Sequence, residues 1–255
     1  MRTVAIAMQK GGSGKTTTAV NLAATLAERG TKVLVVDVDP QANATSWLGV
    51  HHVGKGIFTC LCENTSMESI LQHTITPGLD VVPSSPWLVG AEKALAGEVG
   101  AETLLRRKLR PLQQVYDVAL IDTPPTLGVL TIGALVAADE VLVPVEAHVM
   151  ALNGLAQLLH TVDTVRERLN DTLVLGGIVA CRVDARTRHS LEVVEELRQR
   201  FPAEVCTTVV RENVRLAEAP SFGQPITLYE PKSAGAEDYR ALADELLTRW
   251  QADRR

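Results

Sequence analysis

Cysteine is sparse in this sequence and follows no repeating pattern. Cys60, Cys62, Cys181 and Cys206 form no CxxC pair, and the CLC at 60–62 has the wrong spacing for a zinc knuckle. These residues read as the thiols of a protein in a reducing cytoplasm. No apolar stretch approaches the ~18 residues that cross a bilayer. The opening MRTVAIAMQKGG is a short apolar run broken by Gln9 and Lys10, the pattern of a buried strand and not of a signal peptide. Positive charge is not in excess: 25 Lys and Arg stand against 30 Asp and Glu, a net charge of -5. That balance excludes a protein that coats nucleic acid through bulk positive charge and leaves local patches open. Linkers, internal repeats and low-complexity tracts are also absent. The expectation is a soluble, intracellular protein with one domain over residues 1–255.

What is present is enough apolar material for a large core. Of the 255 residues 46% are hydrophobic and 22% charged, with 4% aromatic, a globular composition that needs no disulfide or metal staple. Apolar runs without alternation recur at 4–8, 33–36, 79–82, 118–121, 141–145 and 173–180, as in strands buried on both faces. Helical spacing lies between them. Val20, Leu22, Ala23 and Leu26 form one stripe over 17–29, ended by Gly30, and 151–169 and 190–201 behave similarly. The alternation predicts an α/β fold, a doubly wound, mostly parallel sheet flanked by helices. The irregular stretch 50–66, with Gly54 and Gly56, reads as a surface excursion.

The sharpest motif is Gly11-Gly12-Ser13-Gly14-Lys15-Thr16-Thr17, placed between the first strand and the first helix. Glycines let backbone N–H groups converge on phosphate oxygens, and a helix N-terminus adds a favourable field. Lys15 is placed to reach the β- and γ-phosphates and the Thr16 hydroxyl to ligate Mg²⁺. The spacing departs from G-x-x-x-x-G-K-[ST], because Gln9 stands where the first glycine would fall. Lys10, at the start of the loop, makes the segment similar to the deviant Walker-type ATPases. The resemblance implies that Lys10 crosses a dimer interface to the partner's nucleotide, and that this chain binds ATP with Mg²⁺. A solvated lysine beside a loop is the plainer alternative.

Two further segments carry carboxylates at strand ends, the edge where open parallel sheets bind ligands. Asp37-Val38-Asp39-Pro40-Gln41-Ala42-Asn43 resembles the family's DxDPQGN segment, with Ala42 in place of glycine. The resemblance assigns Asp39 to the attacking water and Asp37 to the magnesium shell or its support; helix capping is the alternative for Asp37. Val118 to Asp122, followed by Thr-Pro-Pro, is an apolar strand ending in an aspartate, the Walker B arrangement, so Asp122 can hold magnesium. Pro124 and Pro125 fit a switch loop that senses the γ-phosphate. Phosphoryl transfer asks mainly for positioning and charge neutralisation, which Lys10, Lys15 and Mg²⁺ supply, so slow turnover is expected until something orders the site.

The resemblance extends over nearly the whole chain and is nearest to the small partition-type ATPases, the ParA/Soj group, through Glu212-Asn213-Val214-Arg215-Leu216-Ala217-Glu218-Ala219-Pro220-Ser221-Phe222-Gly223. Large members of the group carry an N-terminal helix-turn-helix domain; here the phosphate-loop strand begins at residue 3, so operator-specific repression is not expected. Small members bind double-stranded DNA without sequence preference as ATP-bound homodimers, and a ParB-type centromere-binding protein stimulates hydrolysis. The group's basic contacts fall here on Arg186 and Arg215, and Arg182 and Arg188 can widen the patch. With Asp184, Glu212 and Glu218 among them, these arginines also read as ion-paired surface residues. Arg211 and Asn213 border the adenine in this resemblance, with Arg211-Glu212 where the group often has Pro-Arg. The resemblance implies a cytoplasmic, nucleoid-associated protein with no membrane partner.

A second basic cluster, Arg106, Arg107, Lys108 and Arg110, ends a predicted helix starting near Ala101, where cations are favourable without any further role. The nearest rival reading is a MinD-like membrane-cycling ATPase, which needs a basic amphipathic C-terminal helix. Here Tyr239, Leu242, Leu246 and Trp250 form the stripe of a helix docked on its own domain. An ATPase that positions another cellular cargo shares every motif.

Overall fold

The structure is a computed structural model and describes residues 1–51, 53–148 and 150–252. The strands are β1 (Arg2–Ile6), β2 (Val33–Asp37), β3 (Gln72–His73), β4 (Leu79–Val82), β5 (Val118–Asp122), β6 (Glu140–Glu146) and β7 (Val174–Cys181). The first helices are α1 (Lys15–Glu28), α2 (Asn43–Trp47), α3 (Phe58–Cys62), α4 (Ala91–Leu95), α5 (Leu104–Leu109) and α6 (Val129–Ala137). They are followed by α7 (Met150–Arg168), α8 (Arg188–Arg200), α9 (Val214–Glu218), α10 (Ile226–Tyr229) and α11 (Ala234–Ala252). One sheet runs in the order β3-β4-β2-β5-β1-β6-β7, parallel throughout except for the short edge strand β3.

Both faces of this sheet are covered, which is why its strands read as unbroken apolar runs. On β2, Leu34 and Val36 enter one core while Val33 and Val35 enter the other; on β5, Ala119 and Ile121 oppose Val118 and Leu120. The first apolar run overshoots its strand. Residues 4–8 are apolar, yet the ladder spans Arg2–Ile6, because Ala7 and Met8 are buried beyond it as the chain turns towards the phosphate loop.

Within the stretch 50–66, residues 56–62 are not a surface excursion but part of the core. Phe58–Cys62 forms α3, and Ile57 and Cys60 are fully buried in the same core as Leu34 and Val82. Gly56, at φ +54, makes this possible, since a Cβ there would sit 2.5 Å from the Pro83 carbonyl oxygen. The C-terminal helix follows its stripe: Tyr239, Leu242, Leu246 and Trp250 are buried in the core that also holds Val20, Leu22 and Leu26 of α1. Bidentate pairs from Arg29 to Asp244, at 2.8 Å each, and from Arg240 to Glu28, at 2.9 and 3.0 Å, fasten the two helices at the surface. Among the described residues no helix is long and apolar enough to cross a membrane.

Candidate functional site

The loops leaving β1, β2, β5 and β7 meet at the C-terminal edge of the sheet and enclose an open cleft of about 940 Å³. Gly11, Gly12, Gly14, Lys15, Thr16 and Thr17 line it on one side, and Asp39, Gln41, Asn43 and Pro125 on another. Gly12 and Gly14 hold the turn at φ +76 and +94, a left-handed backbone that other residues adopt only under strain. Helix α1 starts at Lys15, two residues before the predicted 17, so Lys15, Thr16 and Thr17 form its first turn, with backbone N–H groups that have no partner within the helix. Ser13 is fully buried and its hydroxyl has no hydrogen-bond partner; only its backbone shapes the loop. Cys181 of β7 lies behind Gly14, 3.6 Å from where a Cβ would be.

Beneath the loop lies an acidic floor. The parallel register puts Asp37 of β2 opposite Asp122 of β5, and both are fully buried. Burial pushes the Asp37 carboxyl up to about 6, against hydrogen bonds from Thr45 and from the Asp39 backbone. Burial and the neighbouring Asp37 drive Asp122 well above the usual carboxylate range. Lys15 is also buried, and desolvation lowers its pKa despite the nearby Asp122 and Asp39. Its Nζ donates to the Lys10 carbonyl oxygen at 3.2 Å.

These groups fit a divalent cation with oxygen ligands. Thr16 Oγ1 donates to Asp122 Oδ2 at 2.7 Å, and Asp122 Oδ1 is a buried oxygen with no hydrogen-bond partner among the described residues. A hard cation beside Thr16 and Asp122 would satisfy that oxygen and offset the crowded carboxylates. Asp37 is placed differently. Its Oδ2 accepts the Thr45 N–H at 2.9 Å and the Thr45 hydroxyl at 2.7 Å, and its Oδ1 accepts the Asp39 N–H at 3.1 Å. Both oxygens are therefore engaged, Oδ2 with the first turn of α2 and Oδ1 with the loop that carries Asp39. The Asp39 carboxylate accepts the Gln41 N–H at Oδ1, at 2.9 Å, and the residue lines the cleft. Ala42, where the family has glycine, takes the left-handed φ of +53 that explains the glycine.

The rim of the cleft carries the predicted cations, each beside a carboxylate. Lys10 Nζ donates to Glu146 Oε2 at 2.7 Å. Arg182 reaches Glu146 at 3.2 Å and Glu212 at 3.6 Å. Arg186 grips Asp184 through two nitrogens, both at 2.9 Å, Arg188 lies 3.4 Å from Glu192, and Arg215 donates to Glu218 at 2.7 Å. Arg211 lines the cleft, but its guanidinium is fastened to Asp238 of α11, with Nη2 to Oδ1 at 2.6 Å. Asn213 caps α9 by accepting the Arg215 N–H at 2.9 Å, and it too lines the cleft. The cluster at 106–110 is not part of this site: Arg106, Arg107 and Lys108 end α5, and Lys108 Nζ donates to Asn64 and Thr65.

Several residues of the site carry no motif. Glu146 is a single carboxylate at the C-terminal end of β6, opposite Cys181 of β7; its place at the end of a strand that neighbours β1 is the one signal that could have found it. Thr45 is visible only through Asp37. Ser84 supports the same loop, its hydroxyl donating to the Asp39 carbonyl at 2.6 Å. Tyr239 lines the cleft from α11, its hydroxyl 3.2 Å from Thr18 Oγ1.

A family model described as an AAA domain matches residues 1–175. The sporulation initiation inhibitor protein Soj of Bacillus subtilis is 46% identical over 245 residues, 95% of this chain and 97% of that protein. The chromosome-partitioning ATPase Soj of Thermus thermophilus is 48% identical over 251 residues, 98% of this chain and 97% of its own. Among solved structures, cobyrinic acid a,c-diamide synthase from Mycobacterium smegmatis with an ATP analogue and magnesium matches with a TM-score of 0.88 at 34% identity, covering 99% of this chain and 97% of that one. The cell division ATPase MinD of Pyrococcus furiosus matches with a TM-score of 0.81 at 26% identity, covering 97% and 98%. Sequence identity over almost the full length, the phosphate loop and the aspartate-tipped strands agree: the chain belongs to the Soj/ParA family of chromosome-partitioning ATPases.

Proposed function

We propose that this chain hydrolyses ATP to ADP and phosphate with Mg²⁺, and that its ATP-bound form pairs with a second copy to hold double-stranded DNA until hydrolysis releases it. One observation carries the reading. A phosphate loop, two buried carboxylates and a rim of arginines line or border one cleft on one sheet edge.

In this reading the free N–H groups of residues 11–17 bind phosphate oxygens, and Lys15 leaves the Lys10 carbonyl to meet the β- and γ-phosphates. Thr16 and Asp122 would hold the metal, and Asp37 supports the site by fixing the Asp39 N–H and Thr45. Magnesium there would supply positive charge against the negative charge that develops on the phosphate oxygens. Asp39, with one oxygen committed to Gln41, orients the attacking water with the other. Lys10 reaches the phosphates of the partner's nucleotide, so two chains complete each other's sites. Arg211 acts by holding the 211–213 turn against α11, while Asn213 faces the base.

Arg186 and Arg215, with Arg182 beside them, contact DNA phosphates, which gives affinity with little sequence readout. Pairing doubles this patch, so DNA binding depends on ATP. Intrinsic turnover is slow, and a ParB-type protein accelerates it. The chain then cycles between the nucleoid and the cytoplasm. The buried stripe of α11 favours this reading over a membrane-cycling one, since its apolar face is already occupied.

Asp39→Ala tests the assignment. The variant is expected to bind ATP, accumulate as a dimer on DNA and hydrolyse about 100-fold more slowly, the weight of one positioned group at the reacting water. Turnover at the wild-type rate removes Asp39 from this role.

A further inference from the structure

Glu146 stands where two parts of this scheme meet. It ends β6, which pairs with the phosphate-loop strand β1, and its two oxygens serve two different cations. Oε2 accepts Lys10 Nζ at 2.7 Å and Oε1 accepts Arg182 Nη1 at 3.2 Å. The Lys10 hydrogen bond holds the Glu146 carboxyl below its ordinary range, against the opposing effect of burial. Arg182 is itself held by more than the ion pair. It takes a left-handed backbone at φ +53, and the Val183 N–H that follows it is anchored to the Val210 carbonyl at 3.1 Å. The Arg182 side chain also lies 3.6 Å from Glu212, whereas among the described residues the Lys10 ammonium pairs with Glu146 alone, so Glu146 is the one carboxylate that sets where Lys10 points.

We propose that Glu146 is a positioning residue that holds Lys10 inside its own subunit and so sets the threshold at which ATP brings two copies together. The inference rests on the reading above, that Lys10 reaches the partner's nucleotide. A lysine held at 2.7 Å by its own subunit's carboxylate is not extended towards a second chain, so pairing must first exchange Glu146 for phosphate. The exchange is cheap enough to occur. The side chains of Lys10 and Glu146 are 36% and 22% exposed, and a pair this open to water is worth little. A nucleotide phosphate carries more negative charge than one carboxylate and replaces it. Glu146 is not stranded when Lys10 leaves, since Arg182 remains on its other oxygen. The device biases pairing without blocking it.

The test uses the full chain with a non-hydrolysable ATP analogue and Mg²⁺, without DNA, and reads self-association by sedimentation velocity over a concentration series. Glu146→Gln keeps the shape and removes the charge. It is expected to lower the concentration for half-maximal pairing by roughly three- to five-fold, the combined weight of the two partly exposed ion pairs that a dimer exchanges. The same substitution in a Lys10→Ala background is expected to do nothing, because the residue acts through Lys10. Equal nucleotide affinity in the wild type and Glu146→Gln checks that the site is intact. If Glu146→Gln leaves pairing unchanged or weakens it, or tightens it equally without Lys10, the proposal is overturned while the reading of Lys10 stands. If Lys10→Ala pairs as well as the wild type, that reading fails and takes the proposal with it.

Discussion

On the floor of the cleft, Asp37, Asp122 and Lys15 are buried and their neighbours are fixed, whereas at the rim Arg186 and Arg188 are 87% and 93% exposed beside their carboxylates. Both regions are dense in charge, but the cost of changing a partner differs. A buried charge that loses its partner has no water to replace it. An exposed ion pair exchanges one partner for another at a cost of about 1 kcal/mol or less. In the proposed function the floor is therefore the fixed receptor for phosphate and metal, and the rim is a set of contacts that can be traded. Asp184 and Glu218 neutralise Arg186 and Arg215 without removing them from solvent, which suits the proposed function, in which DNA is held in one nucleotide state and released in another.

The largest break in this comparison is expected at Lys15. Lys15→Ala removes a buried cation from the floor, and ATP affinity is expected to fall by about 100-fold or more. Isothermal titration measures it, with a thermal melt to confirm the fold, and near-normal ATP binding would place the phosphate elsewhere. Arg186→Glu should act on the rim alone. DNA retention near physiological salt is expected to drop by about ten-fold or more, with nucleotide binding and ATP-dependent pairing unchanged. Loss of pairing in that variant would mean that Arg186 belongs to the floor's architecture. The smallest effect is expected for Arg106, Arg107 and Arg110 replaced together by alanine. These lie outside the cleft at the end of α5, where cations complement the helix dipole, and DNA retention is expected to stay within about two-fold. A ten-fold loss would extend the DNA contact beyond the rim.

Much of the floor was legible because its chemistry is local in sequence. The glycines, Lys15 and Thr16 are consecutive, and Asp37, Asp39 and Asp122 end apolar runs that announce their strands. The doubly wound sheet followed from the same runs. The rim was legible in part: Arg186 with Asp184, Arg188 with Glu192 and Arg215 with Glu218 are pairs between residues two to four apart. The other pairs are set by tertiary contact, Lys10 and Glu146 being 136 residues apart and Arg211 and Asp238 27 apart. Nothing local ties such a carboxylate to its cation. The burial of α3 was missed for a related reason: its glycines suggest a loop, while Gly56 in fact permits a close approach to the Pro83 carbonyl.

The central claim, that the rim holds DNA only when ATP occupies the floor, is tested most directly by measuring binding to a duplex of arbitrary sequence with no nucleotide, with ADP and with ATP across a salt series. The account predicts binding with ATP alone. If Arg186 and Arg215 of two copies each meet one phosphate, affinity should fall with salt at a log–log slope of about -3 to -4. Equal binding in all three nucleotide states, or affinity indifferent to salt, would contradict it.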